Sequence, residues 1–148
     1  MYDADDYGID TNKIAVIGFS AGGIANGHAV LDFGGNINGT VLDKHYETDE
    51  IDEISSTPNA VIMGYSFYGV LSVANLQEET FKDRNLPPTY YVYGTEDPFY
   101  NQFHAQINLL KSLNKEIEYQ VLEHYPHGFG IEGNWADDVD KWLSEKLV

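Results

Sequence analysis

Read through its apolar positions, the chain alternates between two periodicities. Residues 13–19, KIAVIGF, form a short unbroken apolar run, the pattern of a strand buried on both faces. Ile24, Ala25, His28 and Ala29, followed by residues 31–33, recur near helical spacing, and Gly34 with Gly35 is expected to stop that helix. NAVIMGYSF at 59–67 repeats the buried-strand pattern. PTYYVYGTEDP at 88–98 does so again and closes in a turn containing Gly94 and Pro98. Phe103, Ile107, Leu110 and Leu113 fall at i, i+4, i+7 and i+10, an amphipathic helix. EIEYQVLEHYP at 116–126 predicts a fourth strand, with Ile117, Tyr119 and Val121 alternating. Trp135, Val139, Trp142 and Leu147 share one face of a last helix, where Asp137 and Lys141 are spaced for an i,i+4 ion pair. Between these elements, 2–12 reads as a polar turn, 34–58 as a glycine-rich and then acidic excursion, and 71–86 as a partly helical connection.

Strands alternating with helices predict an α/β fold, a parallel sheet of about four strands with flanking helices and right-handed crossovers. Residues 1–148 are one domain's worth, and 43% hydrophobic residues, 14% of the chain being aromatic, are enough for a core. Twenty-four acidic against 8 basic residues give a formal charge of −16, which argues against nucleic acid or an anionic membrane as partner. The absence of cysteine excludes a disulfide framework, a thiolate metal site and a cysteine nucleophile. MYDADDYGID has neither a basic n-region nor an apolar h-region, so the cytoplasm is the simplest expected address.

The chemistry concentrates where the first strand becomes the first helix. Gly18-Phe19-Ser20-Ala21-Gly22 fits G-x-S-x-G, with a strand before it and a helix after it. Such a turn holds a serine hydroxyl clear of the sheet in strained backbone, so small neighbours are expected at the flanking positions. The Ala21 N–H is then available to a developing oxyanion. The same letters fail as a P-loop, because Ile24 follows Gly22-Gly23 where a lysine is needed. They fail as a dinucleotide fingerprint because Ser20 occupies the central glycine.

A serine nucleophile needs a base, and the base an orienting carboxylate. Asp97, with Glu96 as its rival, ends the third predicted strand. His127, with His124 as its rival, follows the fourth and lies beside Gly128 and Gly130, which free its loop to turn. His28 and His104 fall within helices and read as packed or surface residues, and His45 lies in the acidic excursion without a partner. Asp3-Ala4-Asp5-Asp6-Tyr7-Gly8 begins like a calcium loop but has Tyr7 at the third ligand position and Ile14 at the closing glutamate, so it reads as solvated acidic surface. Asn38-Gly39-Thr40 is an N-x-T sequon.

Taken in order, YGIDTNKIAVIGFSAGG, PNAVIMGYSF, LPPTYYVYGTEDP and YPHGFG with the later VDKWL resemble the C-terminal half of an α/β-hydrolase. The nearest members are the carbohydrate-esterase and lipase-like ones that include acetylxylan esterases. The resemblance spans nearly the whole chain. It implies Ser20 as nucleophile, Asp97 as acid, His127 as base and the Ala21 N–H as one oxyanion donor. The reaction it implies is cleavage of a small-molecule carboxylic ester through an acyl-enzyme, with acetyl esters of carbohydrates as the narrower case, no cofactor and no metal. Members of the family carry further strands and an H-G-G-type loop, source of a second oxyanion donor, before the serine turn; neither is expected in this chain. The strand from Ile14 to Ile17 is therefore expected to be an exposed edge, covered by a second copy or by another polypeptide. Two other readings share these letters: a catalytically inactive α/β-hydrolase remnant serving as an interaction module, and a peptidase-type serine hydrolase.

Overall fold

The computed structural model describes residues 3–32 and 43–148. Its elements are β1 (Ala15–Phe19), α1 (Ala21–Leu31), β2 (Ala60–Gly64), β3 (Gly69–Val70), β4 (Val73–Ala74), α2 (Glu78–Phe81), β5 (Thr89–Gly94), α3 (Tyr100–Ser112), β6 (Ile117–Leu122) and α4 (Trp135–Lys146). Strands β1, β2, β5 and β6 form one parallel sheet in that order, with Ile17 opposite Ile62, Met63 opposite Tyr91 and Gly94 opposite Leu122. Parallel strands need crossovers, and the helices supply them.

Burial follows position in the sheet. Every residue of the two central strands β2 and β5 is buried, as their continuous apolar runs require. At the outer strands burial is partial: among the described residues β1 is an edge strand, and Ile17 is 48% exposed. On β6 Ile117 and Leu122 are buried, whereas Tyr119 is exposed and lies beneath Lys111 Nζ, 4.6 Å from the ring centroid. Phe103, Ile107 and Leu110 of α3, and Trp135, Val139 and Trp142 of α4, close over the sheet as their spacing predicts.

Three local expectations change. The connection expected to be partly helical at 71–86 contains α2, but it is preceded and overlapped by the antiparallel pair β3–β4, too short to leave an alternating signature. The ion pair expected between Asp137 and Lys141 is not formed; Lys146 of α4 instead reaches Glu116 at 2.7 Å and Glu118 at 3.3 Å, tying the helix to the start of β6. The acidic excursion includes a 3-10 turn at Glu50–Glu53, closed by a capping box in which Asp49 accepts from Ile51 N and Asp52 accepts from Asp49 N. The glycine stop at 34–35 and the sequon at Asn38 lie outside the described residues. No helix among the described residues is long and apolar enough to cross a membrane.

Candidate active site

Ser20 stands between β1 and α1 with φ 51° and ψ −120°, a combination that non-glycine residues rarely adopt. The surroundings over-determine it. Its N–H donates to Gly64 O at 3.0 Å, extending the β1–β2 ladder by one residue. Its carbonyl accepts from Gly23 N at 3.0 Å, Ile24 N at 3.3 Å and the Ser66 hydroxyl at 2.7 Å. Sterics explain two of the glycines. A Cβ on Gly18 would lie 2.5 Å from the Gly22 and Gly23 backbone, and one on Gly23 would lie 2.4 Å from the Ser66 side chain. The other motif glycine departs from expectation: a Cβ on Gly22 meets nothing within 4 Å. The position at which small size matters on the helix side is Gly23, one residue beyond the motif.

Asp97 lies in the turn that follows β5, its side chain fully buried. One carboxylate oxygen accepts from Phe99 N at 2.8 Å, and the other lies 2.7 Å from His127 Nδ1. The turn after β6 brings the histidine there because it is laced onto the turn after β5. Thr95 N donates to Leu122 O at 3.0 Å, Glu96 N to Tyr125 O at 3.1 Å, and His124 N to Thr95 Oγ1 at 2.8 Å. Gly94 permits this approach, since a Cβ there would fall 1.9 Å from Tyr125 O. Gly128 and Gly130 then turn the chain with φ of 84° and 62°.

His127 Nε2 completes the line, 2.8 Å from Ser20 Oγ. A carboxylate only accepts, so the ring proton sits on Nδ1 and Nε2 is left free to accept from the serine hydroxyl. Two ring contacts hold the imidazole: Tyr65 at 4.9 Å and Phe99 at 5.6 Å between centroids, both edge-on. The structure thus brings Ser20, His127 and Asp97 together, with Ala21 at the first position of α1 beside them. The rivals pair with each other instead, His124 Nδ1 lying 3.4 Å from Glu96 at an exposed position. His28 pairs with Asp32 one helical turn on, His104 packs against the ring of Tyr100, and His45 is exposed.

Beside Ser20 and His127 is a cleft of about 30 Å³, walled by Ile24, Tyr65, Phe67, Leu71 and Phe99. A larger cavity of about 300 Å³ lies between α1, the β3–β4 hairpin and residues 75–84, and none of the three aligned residues lines it. Sequence reasoning missed Tyr65 and Ser66, although they follow the C-terminal end of β2. The same edge rule that singled out Asp97 and His127 applies to them.

No protein-family model matches the chain, and no curated protein matches it. Solved structures do. A thermophilic esterase from the planctomycete Thermogutta terrifontis with propionate bound is 25% identical, with a TM-score of 0.67 over 97% of this chain and 60% of its own. Esterase 2 of Thermogutta terrifontis phosphorylated by paraoxon is 21% identical, with a TM-score of 0.69 over 97% and 58%. An acetyl ester-xyloside bifunctional hydrolase from Caldicellulosiruptor lactoaceticus is 23% identical, with a TM-score of 0.64 over 99% and 58%. This chain therefore spans about 60% of the length of the structures it matches. The four-stranded parallel sheet, its flanking helices and these likenesses together make the chain, in fold, a partial α/β-hydrolase.

Proposed function

We propose that the chain is a serine hydrolase that cleaves carboxylic esters of short acyl groups, acetyl esters of carbohydrates among them. The observation that carries this reading is the unbroken line from the Ser20 hydroxyl through His127 to the buried Asp97, at 2.8 and 2.7 Å. Ser20 Oγ attacks the acyl carbon while His127 Nε2 takes its proton. Asp97 keeps the ring in the required tautomer and balances the charge that the ring then carries. The carbonyl oxygen, now an anion, accepts from the Ala21 N–H at the start of α1. Collapse of the tetrahedral species breaks the ester C–O bond, and His127 returns the proton to the departing alcohol. Water, deprotonated by the same nitrogen, then releases the acid and restores Ser20. Each step uses side chains, backbone and water alone.

The narrow apolar cleft supports the short acyl group, since about 30 Å³ holds only two or three water-sized groups. The likeness to an acetyl ester-xyloside hydrolase supports the carbohydrate alcohol. An inactive interaction module would keep the same fold, and a peptidase-type hydrolase the same three residues. A fluorophosphonate probe and p-nitrophenyl acetate, with an aminoacyl p-nitroanilide alongside, separate them. Wild-type protein is expected to take up one probe per chain and to turn over the acetate in preference to the anilide. Ser20→Ala should lose labelling and at least about 10⁴-fold of the turnover. Labelling that persists in Ser20→Ala, or acetate turnover no faster than that variant's, overturns the proposal.

A further inference from the structure

A peptide unit is rigid and planar, so the C=O of Ser20 and the N–H of Ala21 point in opposite directions from one plane. Whatever fixes the carbonyl therefore aims the N–H. The Ser20 carbonyl has three donors, two of which belong to the first turn of α1, the part of a helix that frays most readily. The third and shortest bond, 2.7 Å from Ser66 Oγ, comes from the sheet side, from a residue 46 positions later in the sequence. Ser66 is 2% exposed, and its hydroxyl reaches this carbonyl because Gly23 has no side chain to occupy the space between.

Ser66 is itself firmly placed. Tyr65, just before it, has φ 37° and donates its N–H to Val92 O at 2.6 Å, so the turn is anchored on the neighbouring strand β5. The same Tyr65 packs its ring against His127. One strained two-residue turn thus touches the residue that carries the nucleophile and the ring that serves as base. With the carbonyl held by Ser66, the Ala21 N–H points the opposite way from the same peptide plane, and Ala21 lines the cleft together with Ser20 and His127.

We infer that Ser66 is a positioning residue for the oxyanion donor: its hydroxyl locks the Ser20–Ala21 peptide plane so that the Ala21 N–H meets the developing oxyanion. This rests on the ester-hydrolase reading above. It adds a residue outside the Ser–His–Asp line and explains why a glycine follows the motif at position 23. Ser66, which borders the cleft but is 2% exposed, acts through the Ser20–Ala21 peptide.

The test compares an ester with its thionoester, p-nitrophenyl acetate and O-p-nitrophenyl thionoacetate, in wild type and Ser66→Ala. Sulfur accepts hydrogen bonds weakly, so the thionoester draws less on the donor. In Ser66→Ala, kcat for the oxygen ester is expected to fall about ten- to a hundred-fold, less than the 10²–10³ that follows outright loss of a donor. The thionoester should lose much less, so that the ratio of the two rates drops by about tenfold. KM and the midpoint of the pH–rate profile stay where they were, because the base is untouched. A variant that merely loosened the fold would slow both substrates alike. Should Ser66→Ala not fold, Ser66→Cys, similar in shape and a poor donor, is expected to show the same selective loss. Undiminished ester turnover in a folded variant, or equal loss on both substrates, overturns the inference while leaving the hydrolase reading intact. Wild-type protein no faster on either substrate than Ser20→Ala overturns that reading and the inference with it.

Discussion

A Cβ placed on Gly22 would meet nothing within 4 Å, whereas one on Gly23 would overlap the Ser66 side chain at 2.4 Å. Adjacent and identical residues are therefore under different constraints, and substitution separates them. Gly22→Ala adds a helix-favouring residue in open space and is expected to raise stability by up to about 1 kcal/mol. Gly23→Ala must displace Ser66 or tilt the start of α1, costing about 1–3 kcal/mol and loosening the hold on the Ser20 carbonyl. Urea denaturation of both variants reads the difference; equal destabilisation by the two would refute it. The sequence pattern pointed to Gly18, Ser20 and Gly22 because they are neighbours in the chain. It was silent on Gly23, whose constraint comes from Ser66, a residue brought close only by the pairing of β1 with β2.

Among the elements, α3 shows what periodicity conveys and what it conceals. Phe103, Ile107 and Leu110 were legible as a buried stripe, and all three are buried. Gln106 sits among them with no exposed surface, a polar residue where spacing expects an apolar one. It fits because every bond its amide can make is made. Its oxygen accepts from Tyr68 N at 2.9 Å and Tyr91 OH at 2.9 Å, and its nitrogen donates to Tyr68 O at 2.6 Å and Asn75 O at 2.7 Å. Tyr68 and Asn75 bracket the β3–β4 hairpin, whose Leu71 walls the cleft beside Ser20. The hairpin escaped sequence reading because each strand is two residues long and Val70, Leu71 and Val73 are all exposed, leaving no alternation to detect. Gln106 is the clamp at its base. Gln106→Ala strands buried donors and acceptors on two elements and is expected to cost about 3 kcal/mol in thermal or urea unfolding. Gln106→Glu, which turns a carboxylate oxygen onto the Tyr68 and Asn75 carbonyls without a countercharge, should cost at least as much as the alanine variant. A Gln106→Ala protein as stable as wild type would show that the clamp carries no weight.

At the scale of the whole molecule, what was legible was topology. Apolar runs at 14–17, 60–64 and 89–94 and the alternating stretch at 117–122 specify four strands, parallel pairing sends their C-terminal ends to one edge, and Ser20, Asp97 and His127 follow the first, third and fourth of those ends in chain order. What stayed hidden was the polar bonding inside the core, because a tyrosine in a strand reads as an apolar letter whatever its hydroxyl does. Three of the eleven tyrosines, Tyr68, Tyr91 and Tyr93, have no exposed surface, and burial pushes all three phenols above their ordinary value of 10.0. Tyr68 and Tyr91 are also hydrogen-bonded inside the core. Tyr91 OH donates to the Gln106 oxygen. The Thr89 hydroxyl gives its proton to Pro87 O at 2.9 Å, so Tyr68 OH must be the donor across the 2.8 Å bond to Thr89. A phenolate in either place would lose its donated bond and leave a charge in the core without a countercharge. The folded state therefore keeps both protons at pH values where the unfolded chain releases them. Stability is fully present below the unfolded phenol pKa of 10.0 and declines as pH rises above it. Each proton held adds roughly 1.4 kcal/mol per pH unit to the decline once the unfolded phenols have ionised. Phenolate absorbance and circular dichroism, followed together in an alkaline titration, should show a set of tyrosines that ionise only as the fold is lost, in one cooperative step. In Tyr91→Phe and Tyr68→Phe, where one retained proton is gone, the slope of stability against pH above 10.0 should fall by roughly 1.4 kcal/mol per pH unit. Independent ionisation of all the tyrosines near 10.0, with the circular dichroism unchanged, would mean that the two hydroxyls reach solvent without unfolding and that the sheet's centre opens far more readily than its packing implies.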